Sequence, residues 1–399
     1  MRCSTLQFLF LVLVVGLVLM RESRTAPFDS VEATFSSWLC TNAPRESETA
    51  PLALVQISDE ELGAKPWPWT PEDYSLFLFA ALPFQPPVLA VEPVLAWKKP
   101  NPQQMTMLHN QELRAPALLL ASELGFPEDP ALMPPFQEVP VLRHIEGSVS
   151  ALREYPLVAL QPSEELRLGA TIGFVDPHPD ESKVIRRVPL VFRYCGLVVP
   201  SFALQAAMLW FGVTAEEVMV SPGSFIALGK EIRVPVDEAG MMPVDFTIPM
   251  VRFPLRDLTL SAEQTQAGHS TSAPVARLKN SLTLLARTDT ASRTLRLANG
   301  RNGSRGELLA ATIATLQQGR FVEPAGLVVE AILLLEALIL AWFCRRMTRL
   351  GTTVLCIGLF AVYLLVSLGA CAAWQVAFPL TLPAGLLAFL VLFRQLDPH

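Results

Sequence analysis

The sequence contains few residues that carry out chemistry and none of the common catalytic motifs. Among its 399 residues are 5 histidines, which are scattered, and 6 cysteines. It has no glycine-rich phosphate loop, no Gly-x-Ser-x-Gly sequence and no cysteines or histidines at metal-ligand spacing. We therefore expect that the chain is not an enzyme and that it holds neither a cofactor nor a metal.

Charged residues are also scarce. They make up 17% of the chain, against 51% hydrophobic residues, and the net charge is -6. The mean hydropathy of +0.38 is too high for an ordinary soluble enzyme, whereas charged residues are too frequent for a transporter lying wholly in a membrane. Because the chain is acidic and lacks a basic stripe, we expect no nucleic-acid partner.

The apolar residues are concentrated at the two ends of the chain. Near the N-terminus, residues 8–20 form one apolar run after Arg2. No small-x-small cleavage site follows this run, because the next residues are Arg, Glu, Ser and Arg. We predict an uncleaved signal anchor over residues 6–24; a cleaved signal peptide is the alternative.

Three further apolar segments, each about long enough to cross a bilayer, lie at residues 326–344, 351–373 and 374–393. Arg345, Arg346 and Arg349 lie between the first two segments, which places that loop in the cytoplasm by the positive-inside rule. Four spans then place both termini inside and residues 25–325 outside. We expect a multi-pass protein of the inner (plasma) membrane with a large periplasmic domain.

Two carboxylates, Glu330 and Glu336, interrupt the first of these three segments. A carboxylate inside a span is costly and indicates a polar contact. Glu330 lies near the predicted outer interface, where the cost is small, while Glu336 lies deeper. We predict that Glu336 couples this span to a partner within the membrane.

The region 25–325 combines strand and helix patterns. Residues 52–57 predict a buried strand, 71–81 a helix that Thr70 caps, and 88–91 a second strand, which together make a βαβ unit of a parallel sheet. Residues 117–124 fit either a strand or a helix. Cys40 and Cys195 either pair or remain buried free thiols.

Further along, two hairpins are predicted. The first joins residues 171–175 to a strand at 183–194, and the second joins 225–234 to 241–246. Ser201 predicts the start of a helix that ends near Gly212, and 282–286 predicts another strand.

A helix precedes the first C-terminal span. Its apolar residues recur at helical spacing and mark one face, at Leu308, Leu309, Thr312, Ile313 and Leu316. Gly319 is the expected end of this helix. Few residues separate it from the membrane span, so we expect it to transmit motion into that span.

Several stretches resemble the second type of CHASE sensor domain (cyclase- and histidine-kinase-associated sensory extracellular). They are VQISDEELGAKPWPWTPEDYSLFLFAAL, IGFVDPHPDESKVIRRVPLVFRYCGLVVPSFALQAA, FIALGKEIRVPVDEAGMMPVDF, LKNSLTLLARTDTA and GELLAATIATLQQGRF. Their order and spacing carry the resemblance, which covers nearly all of residues 28–393. It implies a mixed α/β extracytoplasmic domain that detects a ligand or stimulus, with one membrane span before it and three after it.

The candidate ligand site follows from the fold class, because open parallel sheets bind ligands beyond the carboxyl ends of their strands. The residues at these ends are Ser58, Asp59, Glu92, Arg287 and Asp289. The resemblance implies aspartate where this chain has Ser58 and Glu92. A plain solvated turn is the alternative for residues 59–61, and Trp67 and Trp69 either stack on a ligand or plug the edge of the core.

The resemblance also implies an output. Family members often carry a cyclase or kinase after the third C-terminal span, whereas this sequence stops at His399. We therefore expect signalling through a separate kinase or cyclase, or through a second copy of the chain. The alternative is a structural or assembly protein of the cell envelope that keeps the fold without binding a ligand.

Overall fold

The computed structural model describes residues 5–23, 26–43, 48–127, 137, 139–176, 184–268, 272–345 and 347–396. The chain divides into two compact units. The helical unit comprises Met1–Glu46 and Val322–His399, and the sheet unit comprises Ser47–Phe321. The segment at 26–42, which lies inside the predicted outer region 25–325, belongs with the helical unit.

The helices, in chain order, are α1 (Thr5–Glu22), α2 (Ala26–Asn42), α3 (Asp59–Ala64), α4 (Pro71–Ala81), α5 (Pro102–Glu112), α6 (Glu164–Gly169), α7 (Phe202–Phe211), α8 (Leu255–Gln266), α9 (Ala273–Ala276), α10 (Arg305–Gln318), α11 (Leu327–Cys344), α12 (Arg349–Trp374) and α13 (Thr381–Leu396).

The strands are β1 (Leu52–Ile57), β2 (Leu89–Val91), β3 (Leu118–Gly125), β4 (His144–Ile145), β5 (Glu154–Tyr155), β6 (Leu157–Leu160), β7 (Thr171–Val175), β8 (Val184–Ile185), β9 (Arg187–Pro189), β10 (Val191–Tyr194), β11 (Leu197–Pro200), β12 (Val218–Ser221), β13 (Phe225–Leu228), β14 (Ile232–Pro235), β15 (Met241–Pro243), β16 (Val251–Pro254), β17 (Leu282–Arg287), β18 (Leu295–Leu297), β19 (Asn302–Gly303), β20 (Glu323–Pro324) and β21 (Val376–Ala377).

A seven-stranded sheet forms the centre of the sheet unit. Its order is β16-β1-β17-β2-β3-β6, with β7 also paired to β3. All these pairings are parallel except β3 with β6. Successive residues of β1 belong to two different cores: Leu52 and Leu54 pack with α7 and α10, whereas Ala53 and Val55 pack with α4 and α8. Burial on both faces explains why residues 52–55 of β1 are all apolar.

The βαβ prediction and the α/β fold class are confirmed. β1, α4 and β2 have nearly the predicted bounds, and β1 and β2 run parallel in one sheet. β17, which comes much later in the chain, lies between them. The ambiguous segment 117–124 is a strand, and Ser201 caps α7 through a hydrogen bond from the Leu204 N–H.

Neither predicted hairpin forms. β7 pairs with β3, and the predicted strand 183–194 is divided into β8, β9 and β10, which belong to three different sheets. The actual hairpin joins β10 to β11 through Cys195 and Gly196, whose φ angles of 49° and 82° give the twist that a two-residue hairpin needs. The turn of this hairpin was predicted at residues 176–180, of which 177–180 lie outside the described residues, as do residues 181–183.

The second predicted hairpin is wrong in its partner. β13 pairs with β14 through a turn at Gly229, while β15 pairs with β9. No disulfide joins Cys40 to Cys195, so the pairing alternative is wrong, and Cys195 is exposed rather than buried. α10 ends at Gly319 as predicted, but it is buried on most sides instead of one.

In the helical unit, α1, α11 and α13 share a core that includes Phe8, Val12, Leu334 and Leu386. α11 and α12 are long and apolar enough to cross a membrane. The predicted last segment 374–393 is wrong at its start, because Gln375 has a left-handed φ of 57° and β21 follows it. α13 therefore begins only at Thr381, with Pro383 in its first turn, where a missing N–H costs least.

Candidate functional site

The five predicted site residues lie at one edge of the central sheet. β1, β17 and β2 are neighbours and run parallel, so their carboxyl ends meet at this edge. Ser58 and Asp59 follow β1, Glu92 follows β2, and Asp289 lies two residues beyond Arg287, the last residue of β17. The structure therefore brings the predicted set together, although each member already has a partner within the chain.

Arg287 and Asp289 form a two-point ion pair. Arg287 donates from Nε and one terminal nitrogen to the two carboxylate oxygens of Asp289, each at 3.0 Å. Asp289 is 2% exposed. Burial on its own would raise the pKa of Asp289, but the hydrogen bonds and positive charge of Arg287 lower that pKa below its ordinary value. The pair holds the end of β17 in place.

A second ion pair crosses from β2 to α10. Arg305, the first residue of α10, donates from Nε to Glu92 at 2.6 Å and from a terminal nitrogen to Glu123 of β3 at 3.2 Å. The Arg287 backbone N–H also donates to Glu92, at 3.4 Å. A Cβ on Gly306 would lie 2.3 Å from the Ala286 Cβ, so only glycine lets α10 begin this close to β17.

Sequence reasoning missed Arg305 and Glu123. Glu123 is the only carboxylate in an otherwise apolar or small-residue strand, and this was the available signal. No local sequence pattern indicated Arg305, because its partner Glu92 lies 213 residues away in the chain.

Ser58 and Asp59 serve mainly to fix local structure. Ser58 caps α3, and Glu61 accepts a hydrogen bond from its backbone N–H at 2.9 Å. Asp59 accepts from the Thr290 N–H at 3.0 Å and from its hydroxyl at 2.7 Å, which joins the ends of β1 and β17. Residues 59–61 are therefore the first turn of a short helix rather than a plain turn.

The two tryptophans of the Trp-Pro-Trp loop have different environments. Trp69 is 4% exposed, packs edge-on against Tyr74, and its carbonyl accepts a hydrogen bond from Trp97. It plugs the core. Trp67 is 36% exposed, and the Arg287 guanidinium lies 4.4 Å from its ring centre. Trp67 and Arg287 thus form a partly exposed surface beside the paired carboxylates.

The arrangement offers binding rather than acid–base chemistry, because the buried carboxylates are already matched by guanidinium groups. Among the described residues, no group of three or more His, Cys, Asp or Glu side chains is placed to hold a metal ion.

Glu336 lies in the middle of α11, on its exposed side. No hydrogen bond or ion pair of Glu336 occurs among the residues that the structure describes. α1 and α11 also form an open apolar groove of about 610 Å³, lined by Leu9, Phe10, Leu13, Leu338, Ile339 and Trp342. An exposed carboxylate on a helix of otherwise apolar sequence needs a polar partner wherever water is excluded.

A family model described as the CHASE2 domain matches residues 9–346, which is most of the chain. No curated protein and no solved structure matches the chain at a significant level.

We predict that Asp289→Asn lowers the free energy of unfolding by about 2 kcal/mol at neutral pH, because Arg287 loses a charged partner while remaining partly hydrated. The folded-state pKa of Asp289 is lowered, so its contribution is complete above the unfolded pKa of about 3.9 and is lost as the pH falls through the folded value. Urea unfolding of the full-length protein in detergent, followed by tryptophan fluorescence, measures both effects.

The control for this variant is Asp257→Asn, at an exposed position, which should change stability by less than about 0.5 kcal/mol. A difference between wild type and Asp289→Asn that persists undiminished into strong acid would contradict the assignment.

Proposed function

Because the chain belongs to the CHASE2 family, an extracytoplasmic sensory domain family, we propose that it is a sensor anchored in a bacterial inner membrane, with its sheet unit in the periplasm. The observation that carries this proposal is the family match, which runs through the sheet unit and the whole of α11. In this proposal the chain has no catalytic activity of its own, holds no cofactor, and reports to a separate kinase or cyclase.

The proposed topology has four spans, formed by α1, α11, α12 and α13. The arginines between α11 and α12 favour a cytoplasmic loop there. α13 has 16 residues, about 24 Å of helix, so it crosses only where the bilayer thins or flanking residues reach the interface.

The proposed ligand site is the carboxyl edge of the central sheet, at Asp59, Trp67 and Arg287. These residues combine a partly exposed indole, a guanidinium and an exposed carboxylate within one region. Glu92 and Asp289 would support this surface from beneath rather than contact a ligand directly, because both are buried and paired.

Transmission from this edge would follow α10. Its first residue, Arg305, donates hydrogen bonds to Glu92 and Glu123. Only residues 319–326 separate the end of α10 from the start of α11 at Leu327. A ligand that changes the ends of β2 and β17 would therefore act on the N-terminus of α10. Glu336, on α11, would pass the change to a partner span.

The alternative proposal is a structural or assembly protein of the envelope. One observation favours it: the charged groups at the sheet edge are already satisfied within the chain. A retained ligand distinguishes the two proposals.

If the chain is a sensor, the full-length protein should retain a small molecule from the soluble extract of its host cells, detected by native mass spectrometry. Trp67→Ala should lose most of the bound mass because it removes the exposed ring. Phe126→Ala, at another exposed aromatic of the sheet unit, should retain it. A wild-type protein that carries no ligand under these conditions favours the structural alternative.

The four-span topology predicts opposite compartments for reporters fused after Pro274 and after His399. A reporter active only outside the cytoplasm should work at Pro274 and fail at His399, since the arginine loop holds the α11–α12 connection inside. Activity in the same compartment at both positions would exclude this topology.

Glu336→Leu should weaken co-purification of a membrane partner or of a differently tagged second copy by about threefold, the equivalent of about 0.6 kcal/mol for one interhelical hydrogen bond. The sheet unit should stay folded. Ile332→Leu, an exposed apolar change on the same helix, is the matched control. Equal recovery of partners by wild type and Glu336→Leu would remove Glu336 from the proposal.

A further inference from the structure

α2 is attached to the membrane-type helices rather than to the sheet unit. Phe35 and Leu39 are buried in a cluster with Cys371 of α12, and Leu364 and Leu368 pack against the same cluster. The contact side of α2 therefore lies along the C-terminal third of α12.

A carboxylate fixes α2 at the connection between α12 and α13. Glu32 accepts hydrogen bonds from the backbone N–H groups of Leu380, at 2.7 Å, and Thr381, at 2.5 Å. Thr381 is the first residue of α13, so Glu32 satisfies free donors at the positive end of that helix. Such a contact determines at which end of the spans α2 lies.

Only part of the apolar side of α2 is covered. With about 100° per residue, Phe28, Val31, Phe35, Trp38 and Leu39 fall within an arc of about 100°. Phe35 and Leu39 are buried, whereas Phe28, Val31 and Trp38 are 36%, 47% and 44% exposed. The Trp38 ring stacks on the Phe35 ring, with centres 5.9 Å apart, so the exposed part continues directly from the covered part.

We propose that α2 is an interfacial helix whose exposed apolar residues lie in the headgroup–acyl boundary of the outer leaflet. The proposal rests on the four-span topology, which puts the α12–α13 connection on the outer side. Tryptophan is enriched at this depth of a bilayer, and Trp374, 73% exposed, ends α12 at the same connection. α12 also carries exposed apolar side chains farther from this connection, such as Leu365 and Val366, which a bilayer would cover.

Lipid is the occupant that these observations favour over a protein. The exposed sector adjoins side chains of α2 that pack against α12, a helix long and apolar enough to cross a membrane. The sequence of α2 contains no lysine or arginine, so its association depends on burying apolar side chains and not on anionic headgroups.

The test uses the full-length protein in nanodiscs whose lipids carry bromine on the acyl chains near the headgroups. The fluorescence of Trp38 is the difference between wild type and Trp38→Phe. Because an interfacial helix lies about 5–10 Å into this boundary, bromolipid should quench that difference by about half, and aqueous iodide should have little effect.

Two further difference measurements serve as controls. The difference between wild type and Trp342→Phe gives the fluorescence of Trp342 in α11, which bromolipid should quench. The difference between wild type and Trp210→Phe gives the fluorescence of Trp210 in α7 of the sheet unit, which bromolipid should not quench. Loss of quenching at Trp342 would overturn the membrane topology itself. With Trp342 quenched, a Trp38 signal that responds to iodide alone, or to neither quencher, would overturn the interfacial assignment in favour of water or of a covering protein.

Discussion

The ion pair between Arg305 and Glu92 joins two parts of the chain that lie 213 residues apart, and the arrangement of the sheet edge depends on it. Arg305 begins the helix that packs against β1, β17 and α7, and Glu92 follows the neighbouring strand β2. Glu92 is 3% exposed, so it needs hydrogen-bond partners from the protein. Arg305 and the Arg287 N–H supply them, and together they align the start of α10 with the ends of β2, β17 and β3.

Buried ion pairs contribute less to stability than to the choice of one arrangement, since desolvation offsets much of their attraction. At this edge there are two such pairs, and they share the β17 end: Arg287 holds Asp289 through its side chain and Glu92 through its backbone. Breaking one pair leaves a buried charge unmatched and alters the geometry of the other. In the proposed sensor, an edge built in this way would respond to a ligand as a unit.

The sequence was sufficient to predict the elements that depend only on residues near them in the chain. The apolar run of β1, the cap at Ser201 and the stop at Gly319 depend on neighbouring residues, and all three are present. The common edge of the site residues followed from the parallel sheet. The pairings of β8 with β18, β9 with β15 and β10 with β5 could not be predicted, because each joins strands from distant parts of the chain.

In the helical unit, too, the sequence shows only part of the arrangement. Its apolar segments were visible as composition, but composition does not show which side of each helix is covered. Glu336 and the exposed residues of α2 both lie on uncovered sides, at the middle of α11 and beside the outer end of α12 in the proposed topology. A carboxylate in the bilayer centre gains from a polar partner, whereas apolar side chains at the interface gain from lipid alone. In this arrangement the lipid boundary would hold α2 in position, and α11 would remain the span whose contacts can change.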